Sequence, residues 1–279
     1  MTILDDFATW QAAQALSPKT IANRRHILIP LHRFLGKPLE DATTADLRSY
    51  LARGGVKSST LRVERAAMIA FYGYLHDDGL RDDNPTVRLA PIRVPRNHPR
   101  PFTREQIEAM LSSGVYRRTR AMILLAYCQG FRVSQVARVR GDDIQGDQIR
   151  TLAKGSKERW LPLHPQIGML AQEMPDDWWF PAPNRPGPIL ATSVTDAITN
   201  AIRLAGITDP SLTPHSLRHA FGSELVEQGV DIRVIQELML HDDLGTTQTY
   251  AAVSPKRRRA GIDMLPGIQA PSRSMRGAA

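Results

Sequence analysis

The chain has 279 residues and a mass of 31.1 kDa, room for one large domain or two modest ones. Lys and Arg total 36 against 28 Asp and Glu, which leaves +8, and 30 of the cations are arginine. An apolar share of 42%, a lone cysteine at Cys128 and the lack of any bilayer-length apolar run exclude the disordered, disulfide-rich and membrane-spanning classes.

Residues 4–15 predict a short amphipathic helix. Ser17 followed by Pro18 is a cap with proline in the first turn, opening a helix to about Phe34 in which Pro30 is expected to place a kink. Thr44 opens a helix that ends at Gly54-Gly55. Ser58 and Ser59 open a long one to Gly79, with Leu61, Ala67, Met68, Phe71 and Leu75 at helical spacing. Arg24, Arg25, Arg62 and Arg65 lie on these helices, where guanidinium groups meet either phosphates or water. From Asn84 to Phe102 prolines stand at 85, 91, 95, 99 and 101, which predicts an extended linker. The division is therefore a helical domain over 1–84, a linker over 85–101, a second domain over 102–262 and a tail over 263–279.

The second domain reads as mostly helical with one hairpin. Thr103 and Gln106 form a capping box, and the helix over 117–129 stops at Gly130. Residues 148–163 alternate around Gly155-Ser156, the pattern of a β-hairpin. Trp178-Trp179-Phe180 predicts a small core segment, and 193–204, 214–228 and 231–240 predict further helices. The expected class is mainly α with a small β-hairpin, an α+β second domain.

A pI near 10.0 leans toward a polyanionic partner, since guanidinium binds phosphate in a planar, bidentate way. Arg132 opens a helix behind the Gly130 turn and could aim its fork at an anion in a cleft. Lys154 and Lys157, two of only six lysines, share the hairpin tip. His215 and Arg218 lie three apart near the positive end of a helix, an arrangement that suits an anion. A zinc reading of His215 with His219 lacks the glutamate of the zincin pattern, and Arg218 would repel the cation. His241 and Tyr250 complete the set. Singly, each of these residues also fits a plain surface or core role.

In this order, and within the blocks GFRVS, KGSKERWLPL, TPHSLRHAF and TTQTY, they resemble the signature of the tyrosine recombinase (phage integrase) family. The resemblance covers nearly the whole chain. It implies a helical core-binding domain over 1–84 and a catalytic domain over 102–262, closing on duplex DNA. It implies further that Arg132 and Arg218 hold the scissile phosphate, and that Tyr250 attacks it to form a 3′-phosphotyrosyl link. Lys154 then protonates the leaving 5′-oxygen, with Lys157 a competitor for that role. His215 handles the tyrosine proton, and His241 donates a hydrogen bond to the phosphate. Arg24, Arg25, Arg62, Arg65 and Lys157 are the candidates for holding DNA. No metal, ATP or other cofactor is expected.

The partners so implied are double-stranded core or att sites, three further copies of the chain in a synaptic tetramer, and a directionality factor, in a bacterial host cytoplasm. The core-binding domain is expected to start near Met1 with no arm-binding domain before it, and the tail from Met264 to pack on a neighbouring protomer. Viral integration is the leading expectation. The alternatives are a Xer-like dimer resolvase, a type IB topoisomerase or telomere resolvase, and a non-catalytic DNA-binding protein. Two positions depart from the family pattern: Gln135 stands where an acidic residue is usual, and Leu240 where glycine usually precedes the late histidine.

Overall fold

A computed structural model of the chain describes residues 2–95, 100–153, 157–240 and 255–268. The chain divides into two compact units, residues 1–97 and 98–279, and each has a hydrophobic core of its own.

The first unit is helical throughout: α1 (Ile3–Ala13), α2 (Pro18–Leu35), α3 (Thr44–Leu51) and α4 (Ser58–Asp77). Its helices begin where short polar side chains can satisfy the free amides of a first turn. Ser17 Oγ accepts from the Thr20 amide at 3.2 Å, and Thr43 and Asp46 cap α3 reciprocally. α2 runs through Pro30 without ending and stops at Gly36, whose φ of +64° favours a residue without Cβ. Phe7, Leu28, Leu31, Leu47, Met68 and Phe71 form the buried centre. Arg53 Nη2 donates to both carboxylate oxygens of Glu64, at 2.5 and 2.6 Å, and the guanidinium lies over the Tyr50 ring.

The proline-rich stretch starts as part of this unit. Thr44 Oγ1 donates to the Pro85 carbonyl at 2.9 Å, Arg65 donates to the Leu89 carbonyl at 2.6 Å, and Leu89 is buried. Proline removes the amide donor of residue 85 and leaves its carbonyl for a side chain to capture.

The second unit contains α5 (Arg104–Ser112), α6 (Arg117–Cys128), α7 (Val133–Val136), α8 (Pro165–Ala171), α9 (Ala191–Leu204), α10 (Pro214–Glu227), α11 (Ile232–Leu238) and α12 (Pro255–Asp263). Its sheet is antiparallel in the order β1 (Ile144–Gln145), β2 (Gln148–Leu152), β3 (Glu158–Pro162). α6 is the spine: every residue from Ala121 to Cys128 is buried, because α8, α9 and α10 cover it on several sides. The expected hairpin is present, with Ile149 opposite Leu161 and Thr151 opposite Arg159. Alternation buries Ile149 and Thr151 on one face of β2. The extra strand β1 pairs through a two-residue turn at Gly146-Asp147, with Gly146 at φ +58°. No helix among the described residues is long and apolar enough to cross a membrane.

Candidate active site

Gly130 stands at φ +65°, a left-handed turn that ends α6 and turns the chain into α7. A Cβ there would meet the Phe221 ring at 2.7 Å, so α10 is packed directly on this turn. Arg132 caps the N-terminal end of α7 and remains partly exposed. Arg218, on α10, is 2% exposed, one of the largest fully buried side chains in the protein.

The two guanidinium groups converge. Arg218 donates through Nη1 to the Gly130 carbonyl and through Nη2 to the Met239 carbonyl. Arg132 Nη2 donates to the next carbonyl, Leu240, at 3.3 Å. Burial, and then the charge of Arg132, push the Arg218 guanidinium down to about 9. Among the described residues neither arginine has a carboxylate partner; their acceptors are backbone carbonyls. Leu240 itself stands at φ +49°, the left-handed position just past α11 where glycine is usual. The site therefore accommodates a leucine at the position where the family pattern has glycine, with its carbonyl held by Arg132.

His215 lies near the start of α10, whose first turn is capped by Thr213 and Ser216 and carries the positive end of the helix dipole. It is exposed, and its ring meets His219 edge to face at 4.6 Å. Burial and then the Arg218 charge lower the proton affinity of His219. Among the described residues no group of three His, Cys, Asp or Glu side chains is placed to hold a metal ion.

Gln135, which the sequence singled out where an acidic residue is usual, connects this cluster to the sheet. The side chain is buried, accepts from the Arg132 amide at 3.0 Å and donates toward Thr151 Oγ1 and the Leu152 carbonyl. Its position one turn after Arg132 allows the contact to the Arg132 amide, whereas the partners on β2 could not be read from local spacing. Lys157 is exposed where β3 begins, and its carbonyl accepts from the Ala153 amide at 2.8 Å. Lys154, His241 and Tyr250 lie outside the described residues.

The arginines nominated for DNA in the first unit are largely engaged within it. Arg24 donates to Gln11 at 3.0 Å, Arg25 pairs with Asp5 at 2.5 Å, and Arg65 holds the Leu89 carbonyl. Arg62 is exposed on α4.

Residues 100–257, which span this cluster, match the phage integrase family. The chain belongs to that family. It is 32% identical over 272 residues to the tyrosine recombinase XerD of Yersinia pestis, covering 88% of this chain and 90% of that one. It is 30% identical to the tyrosine recombinase XerA of Thermococcus kodakarensis, covering 92% and 93%. Among solved structures, the integrase from mycobacterium phage Brujita is 33% identical with a TM-score of 0.56, covering 97% of this chain and 94% of that one. Lambda integrase (residues 75–356) in a dimer bound to a COC′ core site has a TM-score of 0.72 at 18% identity, a likeness of fold. This phage integrase family member is thus a tyrosine recombinase, mainly α with a small three-stranded sheet.

Proposed function

We propose that this recombinase cuts and rejoins duplex DNA at a specific site through a 3′-phosphotyrosyl intermediate, and that its duty is to integrate and excise a phage or mobile element. The observation that carries the reading is the Arg132–Arg218 pair: two convergent cations, one fully buried, whose acceptors among the described residues are backbone carbonyls. Burying like charges together is costly unless an anion arrives to use them. A phosphodiester supplies two non-bridging oxygens, and its pentavalent transition state gathers more charge on them than the ground state does.

In this reaction the Tyr250 phenolic oxygen attacks phosphorus and the bond to the 5′-oxygen breaks. His215 takes the phenolic proton and Lys154 gives a proton to the leaving oxygen, while His241 donates to a phosphate oxygen. The phosphotyrosine retains the energy of the broken bond, so the 5′-hydroxyl of a partner strand can reverse the step. Strand exchange in pairs on synapsed sites requires four copies of the chain, assisted by a directionality factor. The DNA-facing candidates are the exposed Arg62 and Lys157, together with Arg24, Arg25 and Arg65, which would have to exchange their bonds within the first unit for phosphate, and the site of action is the bacterial cytoplasm. Xer relatives aligned over about nine-tenths of both chains support a second reading, resolution of chromosome or plasmid dimers.

The test is a nicked suicide DNA carrying a core site, incubated with protein and run on a denaturing gel. The wild type is expected to trap a covalent adduct, with or without EDTA, and Tyr250→Phe to trap none. An adduct that persists in the phenylalanine variant removes Tyr250 from the nucleophile role.

A further inference from the structure

α11 ends on a residue in an uncommon conformation. Leu240 follows the last turn of the helix at φ +49°, a left-handed region that L side chains other than a few short polar ones rarely enter. Glycine, and less often asparagine, is the ordinary occupant of such a helix end. The Leu240 amide closes the turn on the Glu237 carbonyl at 3.1 Å, and the side chain is partly buried against the second core.

The last carbonyls of a helix have no partners within it, and here guanidinium groups supply them. Arg218 Nη2 donates to the carbonyl of Met239, a residue still right-handed at φ −81°. Arg132 Nη2 donates at 3.3 Å to the carbonyl of Leu240, where the winding reverses. Two successive carbonyls are thus divided between two arginines that stand on separate elements. A guanidinium carries further donors in the same plane, so one bond to Leu240 fixes the direction of the Arg132 fork and leaves donors for a phosphate. Costly backbone conformations persist where surrounding contacts over-determine them, and they cluster at functional sites.

From this geometry we infer that Leu240 is a positioning residue that acts through its backbone: its left-handed turn presents the carbonyl that aims Arg132 beside Arg218. The inference rests on the recombinase reading for its catalytic consequence, and on the turn and its hydrogen bonds alone for the contact. What position 240 must supply is then a conformation, which glycine, asparagine and this leucine can provide with unrelated side chains.

A substitution series at 240 separates conformation from packing. Leu240→Gly and Leu240→Asn remove the packed side chain but favour the left-handed turn. Leu240→Val keeps an apolar side chain, yet its branched Cβ is disfavoured there. On the nicked suicide core-site DNA, the Gly and Asn variants are expected to form adduct within about threefold of the wild-type rate, since the turn is kept. The Val variant is expected to be slower by about tenfold to a hundredfold, the scale of a displaced catalytic group. The opposite order, with Val near wild type and Gly and Asn slow, would give the role to side-chain packing and overturn the inference; equal rates across the series would overturn it too. If Val unfolds below the assay temperature, the other two arms decide, and folded Gly and Asn variants that are both slow overturn the inference. Side-chain ¹⁵N spectra read the contact without DNA, because an acceptor on Nη2 slows rotation of the Arg132 guanidinium. Slow rotation is expected in the wild type and the Gly and Asn variants; rotation as fast in these as in an exposed arginine overturns the contact. A wild type with slow Arg132 rotation that forms no adduct would fault the recombinase reading and leave the contact standing.

Discussion

Gly130 shows how much of the site hangs on one residue. Its φ of +65° is a region that L side chains enter at a cost, and the Phe221 ring fills the space where a Cβ would go. Its carbonyl also accepts from Arg218, so displacing the turn displaces a guanidinium. Gly130→Ala is expected to cost about 3 kcal/mol from backbone strain and overpacking together, read as a lowered urea midpoint at unchanged slope. Phe221→Leu combined with it should return the overpacking part only, and full recovery would show that the backbone carries no strain. From the sequence, Gly130 was legible as a helix stop, and Arg132 and Arg218 as anion-seeking. Their convergence was legible only through the family resemblance and not from spacing, since the two stand on separate elements that packing on α6 brings together.

At the scale of elements, α8 and the segment after α12 form a latch. His164 caps α8: its Nδ1 accepts from the Gln166 amide at 3.1 Å, which leaves Nε2 to donate to the Leu265 carbonyl at 3.0 Å. Gln166 holds Ile268 from both sides, donating to its carbonyl at 2.8 Å and accepting from its amide at 3.0 Å. Arg104 takes the Gly267 carbonyl, and Leu265 and Ile268 are buried. Residues 265–268 thus pack on their own chain; the rest of the expected tail contact falls on 269–279, outside the described residues. Burial depresses the proton affinity of His164 below the usual 6.5, more than its bond to Leu265 restores it. A folded pKa below the unfolded one means that stability is full above 6.5 and lost as pH falls through that value. The wild type is expected to lose stability between pH 7 and 5 at up to about 1.4 kcal/mol per pH unit more than His164→Asn, which keeps a cap but cannot titrate. Parallel curves of melting temperature against pH would exclude the latch from that loss, because His219 and every other titrating group is shared by both proteins.

The helices with strong 3.6-residue patterning and short polar caps were legible in the sequence. α8 was not, because its cap is a histidine and only Ile167 is buried along it. α12 was not, because Lys256, Arg257, Arg258 and Arg259 hide the two residues it buries, Gly261 and Ile262. β1 is two residues long and gains its identity from pairing with β2, which a local pattern cannot register.

On the scale of the whole molecule, the two units keep separate cores, the first built on Phe7, Leu28 and Phe71, the second around α6. A fragment ending at residue 95 is expected to fold alone, with helical circular dichroism and one cooperative melt, provided it retains Pro85 to Leu89. Cutting it at residue 84 removes the carbonyls that Thr44 and Arg65 hold and the buried Leu89, and should lower the melting temperature. Equal melting of the two fragments would show that 85–89 contributes nothing to the first core.

The sequence by itself determined the class, the long helices, the hairpin and the ordered set of Arg, Lys, His and Tyr, because these are written in residue type and short-range spacing. It also showed an arginine-rich chain of net charge +8 without saying which arginines matter. Tertiary structure decided how each of them is held. Arg24, Arg25 and Arg65 bond within the first unit, whereas Arg218 is buried on α10 with Arg132 beside it and, among the described residues, only carbonyls to satisfy them both. Whether a guanidinium solubilises, staples or waits for an anion depends on burial and on which acceptors lie within about 3 Å, and those are properties of packing between distant segments.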